Sequence, residues 1–373
     1  MRVLHIYSGN LYGGIESMLV TLAQTQASAP ELQHEFALAF RGRLAEELQA
    51  AGARVHHLGA VRVSRPHTLL KARRALRALL RVGGYAGAIC HGPWPHALFT
   101  KGVRRAGLPL AFWQHSPLGG GHWTERWARR NAPDGVICNS EYTRRSAVEF
   151  WRNVPCRVIY CPVADRHEEV NGTGRTELRS RNDTPADAAV IIQVSRMEAW
   201  KGHESLLAAL ANLRERSDWH GWIVGGAQRV QEREYLTGLE SCVRSYGMTD
   251  RIHFLGERSD VPRLLGAADI FCQPNVSAEP FGISLVEALY AGLPVVTSGV
   301  GGAAEIVDET CGLLTEPSNV FELTEALRSL LEKPARRTEL GAAGPERARQ
   351  VSDPVRQAKL LHSTLDEFFT HRS

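Results

Sequence analysis

The chain has 373 residues, of which 43% are hydrophobic and 23% charged, a composition typical of a soluble globular protein of about two domains. No run of 18 apolar residues is present, which excludes a membrane-spanning helix, and the first residues do not form a signal peptide. Seven cysteines without a C-x-x-C pair argue against a disulfide framework or a structural zinc site, and favour the reducing cytoplasm.

The net charge of +4 is unevenly distributed along the chain. Residues 1–165 contain 21 Lys and Arg against 10 Asp and Glu, a net charge of +11, and the remainder carries −7. A basic half predicts an anionic partner, such as a phosphorylated ligand or an acidic membrane surface. Nucleic acid is disfavoured, because the chain has no zinc-finger spacing, no RNP-like strand and no basic tail.

Short apolar runs alternate with helical patterns through the first half. The predicted strands are 2–7, 35–40, 54–58, 86–90, 110–114 and 135–138, and the first predicted helix is 14–27. This alternation predicts a parallel, doubly wound sheet. Within it, the basic segment 69–82 has two interpretations: a surface helix of the α/β domain, which we favour, or an amphipathic helix lying on anionic lipid.

A polar stretch rich in Gly, Asn, Asp and Pro predicts a linker at 166–188. The alternation then resumes, from a strand at 189–194. We therefore expect Rossmann-like domains at 1–165 and 189–353, with a C-terminal helix at about 354–373 packing back on the first domain. Such domains face each other across a cleft, which the carboxyl ends of both sheets line.

The first predicted strand is followed by a glycine-rich loop. Its glycines do not match G-x-G-x-x-G, and the strand at 35–40 ends without an acidic residue, so an NAD site is disfavoured. Gly13 and Gly14 nevertheless open a helix whose first amides can bind a phosphate. The alternative is that these glycines serve only a tight turn.

Arg196 and Lys201 lie just after the predicted strand 189–194. On a loop that opens a helix, a guanidinium fork and an ammonium five residues apart can hold a diphosphate between them. On their own they are equally typical of surface charges.

Glu279 and Glu287, eight residues apart, form the most specific pattern in the chain. Glu279 lies on a loop, and Glu287 lies in a helix opened by Phe281, Gly282 and Ile283, whose free amides can bind an anion. Two carboxylates beside such amides are suited to accept hydrogen bonds from sugar or ribose hydroxyls. An ordinary capping arrangement is the less favoured alternative.

In order and spacing, these motifs resemble those of the retaining GT-B glycosyltransferases of family 4. The resemblance covers residues 2 to about 330 and is strongest over 190–315. It implies the GT-B fold, with two Rossmann-like α/β domains. The matching positions, in chain order, are Gly13, Gly14 and Glu16, then Arg196, Lys201 and Gly202, then Glu279 and Glu287, and finally 292–296, Gly301, Gly302 and Glu305.

The resemblance also implies the role of each site residue. Arg196 and Lys201 would contact the donor diphosphate, together with the amides of Gly13 and Gly14. Glu279 would contact the transferred sugar, and Glu287 the ribose hydroxyls. The remaining implied contacts are the amides of Phe281, Gly282 and Ile283 on sugar and phosphates, His115 on the donor sugar, and the loop 254–258 near the nucleobase. A core or capping role is the alternative for His115.

The implied reaction transfers a sugar from a UDP-sugar or GDP-sugar to a hydroxyl of a glycan, glycolipid or small metabolite, with retention of configuration. Positive charge at the diphosphate would make a metal unnecessary, and no other cofactor is expected. The basic N-terminal half would bind the acceptor, which favours an anionic or membrane-associated one, and Trp123 and Trp127 could stack on it or form helix core. The corresponding location is the inner face of the membrane, where the protein would make a peripheral contact.

Two other functions fit the same motifs. A GT-B sugar-nucleotide epimerase would cleave the same donor bond without a second acceptor, whereas a phosphorylase would need a lysine for pyridoxal phosphate that no motif marks. A non-catalytic protein that binds nucleotide sugars is the alternative from outside the enzymes, because a fold alone does not fix function.

Overall fold

The computed structural model describes residues 1–10, 12–167, 170 and 172–370. Position 11 of the first loop, positions 168, 169 and 171 of the predicted linker, and 371–373 of the predicted C-terminal helix lie outside the described residues. The chain divides into two compact units. Unit 1 comprises Met1–Ala164 and Ser352–Ser373, and unit 2 comprises Asp165–Val351.

Unit 1 contains a seven-stranded sheet in the order β3-β2-β1-β4-β5-β6-β7, in which every pairing is parallel. Its strands are β1 (Arg2–Tyr7), β2 (Gln33–Leu38), β3 (Arg54–His57), β4 (Gly87–His91), β5 (Leu110–Gln114), β6 (Gly135–Cys138) and β7 (Cys156–Val158). Its first six helices are α1 (Gly14–Thr25), α2 (Arg43–Ala50), α3 (Pro66–Val82), α4 (Pro93–Arg105), α5 (Trp123–Arg129) and α6 (Glu141–Phe150).

Unit 2 contains a six-stranded parallel sheet in the order β10-β9-β8-β11-β12-β13. Its strands are β8 (Ala189–Val194), β9 (Trp219–Val224), β10 (Ile252–Gly256), β11 (Ile270–Gln273), β12 (Val295–Ser298) and β13 (Gly312–Thr315). Its helices are α7 (Gly172–Arg181), α8 (His203–Ala211), α9 (Val230–Ser245), α10 (Val261–Ala267), α11 (Ile283–Tyr290), α12 (Ala303–Ile306), α13 (Val320–Glu332) and α14 (Pro334–Ser352), with a short 3₁₀ turn at Ala199–Lys201.

Helix α15 (Pro354–Thr370) returns to unit 1 and packs on its sheet. Leu361 and Leu365 are fully buried on the inner face of this helix. Two glycines on the sheet make room for its aromatic rings, because a Cβ at Gly87 or Gly135 would lie 2.4 or 2.2 Å from a phenylalanine ring of α15. The close approach of this helix therefore depends on glycine in β4 and β6.

The segment predicted as a linker contains helix α7, so for residues 172–181 that prediction is wrong. Two arginines of α7 donate to the carboxylate of Asp269, each over 2.6 Å, and Arg179 is only 3% exposed. The polar composition suggested a loop because the stabilising partner of this helix lies about ninety residues further along the chain. Tertiary contacts outweigh weak local helix propensity here.

The basic segment 69–82 lies within α3, and its apolar stripe belongs to the core of unit 1. Ala72, Leu76 and Leu80 are buried there, whereas Leu70 is 52% exposed. The apolar face is therefore used within the unit, as expected for a surface helix of an α/β domain. Within the described ranges, none of the helices combines the length and apolar composition that crossing a membrane requires.

Each sheet reverses its strand order beside its first strand, where β1 neighbours β4 and β8 neighbours β11. In open α/β sheets, ligands bind outside the carboxyl ends of the strands at such a switch point. The loops after β1, β4 and β5 in unit 1, and those after β8 and β11 in unit 2, are therefore where a site is expected.

Candidate functional site

In unit 2, the loop after β8 presents two cations. Arg196 lies 3.0 Å from the Glu198 carboxylate, which also accepts a 2.9 Å hydrogen bond from the Trp200 indole. Lys201 lies in the 3₁₀ turn, with its Nζ 3.9 Å from the centre of the Trp200 ring. These contacts hold both cations at the carboxyl end of β8, and the Arg196 side chain is still 35% exposed.

Lys201 and Glu279 form a mostly buried ion pair, with 2.7 Å between Nζ and Oε2. The same oxygen of Glu279 accepts hydrogen bonds from the side-chain amides of Gln273, over 3.2 Å, and Asn275, over 2.9 Å. The lysine and glutamate side chains are 13% and 8% exposed. Three donors on one oxygen fix the orientation of this carboxylate and leave its second oxygen outside these bonds.

Two glycines let neighbouring loops approach the segment that carries Glu279. A Cβ at Gly202, where φ is +76°, would lie 1.8 Å from the carbonyl oxygen of Pro274. A Cβ at Gly301, where φ is +70°, would lie 2.4 Å from the carbonyl oxygen of Glu279, which also accepts from the amide of Gly302 over 2.7 Å. Only glycine combines this backbone conformation with such close contacts.

Helix α11 begins directly after this segment. Its N-cap is Gly282, with φ at +113°, and glycine has no side chain that could cap the amides of the first turn. The first-turn amides begin with that of Ile283, two residues after the buried Phe281. Without a side-chain cap, they can stabilise an anion at the start of the helix.

Glu287 lies in the second turn of α11 and is half-buried. Its carboxylate has no hydrogen-bond partner among the described residues of the chain. Burial raises the pKa of Glu287 to about 7, and the positive charge of Arg166 opposes this shift. A desolvated carboxylate without a donor is suited to accept hydrogen bonds from the hydroxyls of a ligand.

In unit 1, the loop after β1 leads into α1 through Gly13 and Gly14. Gly13 is the N-cap and has an extended backbone, and its carbonyl accepts from the amide of Ser17 over 3.0 Å. As at α11, a glycine N-cap leaves the first amides without a side-chain cap. In the first turn, the buried carboxylate of Glu16 accepts a 2.6 Å hydrogen bond from the Tyr7 hydroxyl.

A cavity of about 200 Å³ lies at the carboxyl ends of β1, β4 and β5. Tyr7, His91, Trp94 and His115 are among the side chains that line it. His115 follows β5 and is half-buried, and its Nε2 lies 3.0 Å from Nδ1 of His91. Burial lowers the pKa of His115 to about 3, so the ring is neutral at physiological pH.

The structure thus distributes the predicted residues between the two units. Gly13, Gly14 and His115 lie at the switch point of unit 1. Arg196, Lys201, Glu279 and Glu287, with the amides at 281–283, lie at that of unit 2, where Lys201 and Glu279 are in direct contact. Gly256, in the loop predicted near a nucleobase, ends β10 and accepts from the amide of Gly225 over 2.8 Å. In α5, Trp123 and Trp127 stand edge to face, 5.4 Å apart.

Two family models match the chain, and together they cover most of it. The model "Glycosyltransferase Family 4" matches residues 12–166, and "Glycosyl transferases group 1" matches residues 174–347. The chain belongs to glycosyltransferase family 4. The expected family is confirmed, and with it the expectation of a glycosyltransferase fold.

The relatives of the chain include curated glycosyltransferases of bacteria. The D-inositol 3-phosphate glycosyltransferase of Kineococcus radiotolerans is 29% identical over 233 residues, 58% of this chain and 53% of the relative. The chain thus spans about half the length of this and several other curated relatives. The putative glycosyltransferase EpsF of Bacillus subtilis is 25% identical over 90% of this chain and 89% of its own.

The fold of this family 4 protein is GT-B, as its similarity to solved structures shows. The crystal structure of Anabaena HepE in complex with UDP-glucose superposes with a TM-score of 0.86 at 23% identity, over 98% of this chain and all of that one. Two Rossmann-like parallel-sheet domains were expected from the sequence, and this fold class is confirmed.

Several polar residues of this family 4 chain that lie in or beside the two sheets were not predicted from the sequence. In unit 2 these are Gln273, the last residue of the buried strand β11, and Asn275, two residues later, and both donate to Glu279. In unit 1 they are three buried histidines, His5, His34 and His91, which lead to His115. For Gln273, His5 and His91, a polar residue in an otherwise largely apolar strand was the available signal.

Proposed function

We propose that this protein is a retaining glycosyltransferase. It moves a sugar from a UDP-sugar or a GDP-sugar to a hydroxyl group of an acceptor, and it does so without a metal ion. The observation that carries this proposal is the buried pair of Lys201 and Glu279, set beside the uncapped first turn of α11. Lysine supplies charge for a diphosphate, and the oriented carboxylate supplies an acceptor for a sugar hydroxyl.

The donor binds through complementary groups of unit 2. Arg196 and Lys201 contact the diphosphate, and the amides of the first turn of α11 add the positive end of the helix dipole. Glu287 accepts from the ribose hydroxyls, which replaces the hydrogen bonds that its carboxylate lacks. Gly13 and Gly14 of unit 1 provide further amides for the phosphates, and His115 contacts the donor sugar.

Charge development explains the chemistry of the transfer. Breaking the bond between the anomeric carbon and its oxygen builds negative charge on the departing nucleoside diphosphate, and preorganised cations stabilise that charge most in the transition state. The acceptor hydroxyl attacks from the face that the leaving group occupies, and the departing phosphate oxygen takes the hydroxyl proton. This same-face attack retains the anomeric configuration without a covalent intermediate on Glu279.

The acceptor is anionic and binds to unit 1. The net charge of +11 over residues 1–165 supports this assignment, as does the named substrate of one relative, D-inositol 3-phosphate. The cavity beside His115 lies at the carboxyl ends of the unit 1 strands and is the proposed place for this acceptor. A glycan, a glycolipid and a small phosphorylated metabolite all meet this requirement, and a glycolipid would bring the protein to a membrane surface.

A thermal-shift screen tests the donor site. The protein is mixed with UDP, GDP, ADP and their sugar conjugates in the presence of EDTA, and a bound ligand raises the melting temperature. We expect a shift with one nucleotide family that is lost in Arg196→Ala and kept in the exposed control Arg214→Ala. The screen is repeated with Mg²⁺ in excess over EDTA. No shift under either condition would contradict the donor site, and a shift that appears only with Mg²⁺ would contradict metal independence.

Analysis of the products tests the reaction. The donor identified by the screen is incubated with phosphorylated and neutral sugars, and the products are examined by NMR. A transferred sugar with the anomeric configuration of the donor supports the proposal. Epimerised free sugar would instead identify an epimerase, binding without turnover would identify a binding protein, and a sugar trapped on Glu279 would exclude same-face attack.

A further inference from the structure

Four histidines form a continuous chain across the sheet of unit 1, and we name it the histidine chain. His34 lies in β2, His5 in β1 and His91 in β4, and His115 follows β5, so four neighbouring strands contribute one ring each. The first three are at most 3% exposed. The histidine chain links the protein interior to the cavity that His115 lines.

Strand register explains why the rings meet. His34 pairs with Val3, and His5 lies two residues further along β1. Likewise His5 pairs with Ile89, two residues before His91, and His91 pairs with Trp113, two residues before His115. Since side chains two residues apart point to the same face of a strand, the four rings share one face and cross it diagonally.

Hydrogen-bond distances connect each ring to the next. His34 Nδ1 lies 2.8 Å from His5 Nε2, His5 Nδ1 lies 2.8 Å from His91 Nε2, and His91 Nδ1 lies 3.0 Å from His115 Nε2. Each contact therefore joins Nδ1 of one ring to Nε2 of the next. Stacking supports the arrangement, because the ring centres of His5 and His91 are 5.1 Å apart, and those of His91 and His115 are 5.2 Å apart.

The number of protons restricts which ring nitrogens of the histidine chain can be protonated. Burial lowers the pKa of His34 to about 4 and that of His115 to about 3, and it places the pKa values of His5 and His91 well below the usual range. Four neutral rings carry four protons, and each of the three contacts accommodates one, since one nitrogen must donate and the other accept. The fourth proton is then on His34 Nε2 or on His115 Nδ1.

We propose that His34, His5 and His91 are positioning residues that set the tautomer of His115, so that all four rings carry their proton on the same type of nitrogen. With every proton on Nδ1, the outer nitrogen of His115 donates a hydrogen bond. With every proton on Nε2, that nitrogen accepts one. A single ring cannot change tautomer alone, because two protons or none would then lie in one of the 2.8–3.0 Å contacts.

This inference extends the proposed function, on which its kinetic consequence rests. His115 lines the cavity of unit 1 as a neutral group of fixed hydrogen-bonding polarity, and it does not exchange between hydrogen-bond donor and acceptor during turnover. Other polar groups adjoin the chain. The Tyr7 ring stands edge-on to His91 with 6.1 Å between ring centres, and its hydroxyl donates a 2.6 Å hydrogen bond to Glu16, so Tyr7 contacts both this side chain and the His91 ring.

Histidine-selective ¹⁵N NMR of the whole protein tests the inference, whether or not the protein transfers a sugar. Long-range ¹H–¹⁵N correlations distinguish the two neutral tautomers of each ring. We expect the four rings to show one common tautomer, all Nδ1–H or all Nε2–H. Mixed tautomers among the four, or a protonated ring at pH 7, would overturn the proposal.

His5→Phe tests whether the coupling reaches His115. Phenylalanine keeps an aromatic ring between Phe36 and His91 but removes both ring nitrogens, two contacts away from His115. We expect the His115 nitrogen resonances to move toward the average of the two tautomers, and kcat to fall about tenfold with the donor KM unchanged. Unchanged His115 resonances would contradict the coupling.

The matched control is His96→Phe. His96 is also fully buried, and its Nε2 donates a 2.7 Å hydrogen bond to the carbonyl oxygen of Asn131, outside the histidine chain. This variant should leave the His115 resonances and kcat unchanged. If His5→Phe does not fold, the tautomers of the wild-type protein still decide the proposal, and absence of transfer by the wild-type protein would count against the proposed function alone.

Discussion

The two units place opposite kinds of polar group at their strand ends. Unit 2 comes from the acidic part of the chain, yet it holds the buried cation Lys201 against Glu279. Unit 1 comes from the basic part, yet the groups at its switch point are neutral imidazoles, including His91 and His115. Net charge therefore describes the surface that attracts a ligand, whereas the charge that acts on the ligand is set by a few buried residues.

The largest expected effect follows from removing the cation of unit 2. Lys201→Ala should lower kcat/KM about 10²- to 10³-fold, the range observed when one stabilising group for a developing negative charge is lost. The variant also leaves the Glu279 carboxylate with only its two amide donors, Gln273 and Asn275, among the contacts described above. Steady-state kinetics with the donor identified by thermal shift measure the change.

Lys101→Ala is the control for this variant, because Lys101 is exposed and lies in α4 of unit 1. It should retain wild-type kcat/KM. Activity of Lys201→Ala within threefold of wild type would show that the buried ion pair has a structural role only, and that charge for the diphosphate comes from elsewhere.

The next largest effect is on stability and is expected at Gly202, where two loops of unit 2 approach each other closely. Gly202→Ala should lower the free energy of unfolding by several kcal/mol, because its Cβ would lie 1.8 Å from a backbone carbonyl oxygen and the φ of +76° is strained for alanine. Gly247→Ala has a similar φ of +66° but open space around the Cβ, so it should cost only about 1 kcal/mol. Melting temperatures compare the two variants, and equal losses would exclude the contact as the cause.

Sequence predicted unit 2 better than unit 1, for a physical reason. Spacing along the chain identified Lys201 and Glu279, which the structure brings into contact, although it did not identify Gln273 and Asn275, which also bind Glu279. In unit 1, His5, His34 and His91 were not predicted, because they lie on different strands and meet only through sheet register. Helix α7 was missed for the same reason, since its partner Asp269 is distant in sequence.

A smaller effect is expected from the carboxylate of Glu287. Burial raises its pKa from 4.5 to about 7, so the folded state binds this proton more tightly than the unfolded state. The contribution of the Glu287 carboxyl group to the free energy of unfolding is therefore fully present below about pH 4.5 and is lost as the pH rises to about 7. The free energy of unfolding of wild type minus that of Glu287→Gln should fall by at most about 3 kcal/mol across this range.

Denaturation at several pH values measures this difference, and groups that titrate equally in both proteins cancel. Glu257→Gln serves as the control, because Glu257 is an exposed carboxylate of the same unit. A difference that does not vary with pH would mean that Glu287 is solvated and ionised, and would remove the argument that it needs hydroxyl donors from a ligand.

The smallest effect returns to unit 1, where two phenols donate to buried carboxylates over the same distance. The Tyr7 hydroxyl donates to Glu16 and the Tyr85 hydroxyl to Glu35, each over 2.6 Å. Tyr7 lines the cavity beside His115, whereas Tyr85 is not among its lining residues. Tyr7→Phe and Tyr85→Phe should each cost about 1.5 kcal/mol, the value of a hydrogen bond to a charged group, and so lower the melting temperature by a few degrees. Only Tyr7→Phe should also change the acceptor KM, because of these two tyrosines only Tyr7 lines the cavity. If both variants leave the acceptor KM unchanged, the cavity beside His115 is part of the packing of unit 1, and the acceptor binds to another part of its basic surface.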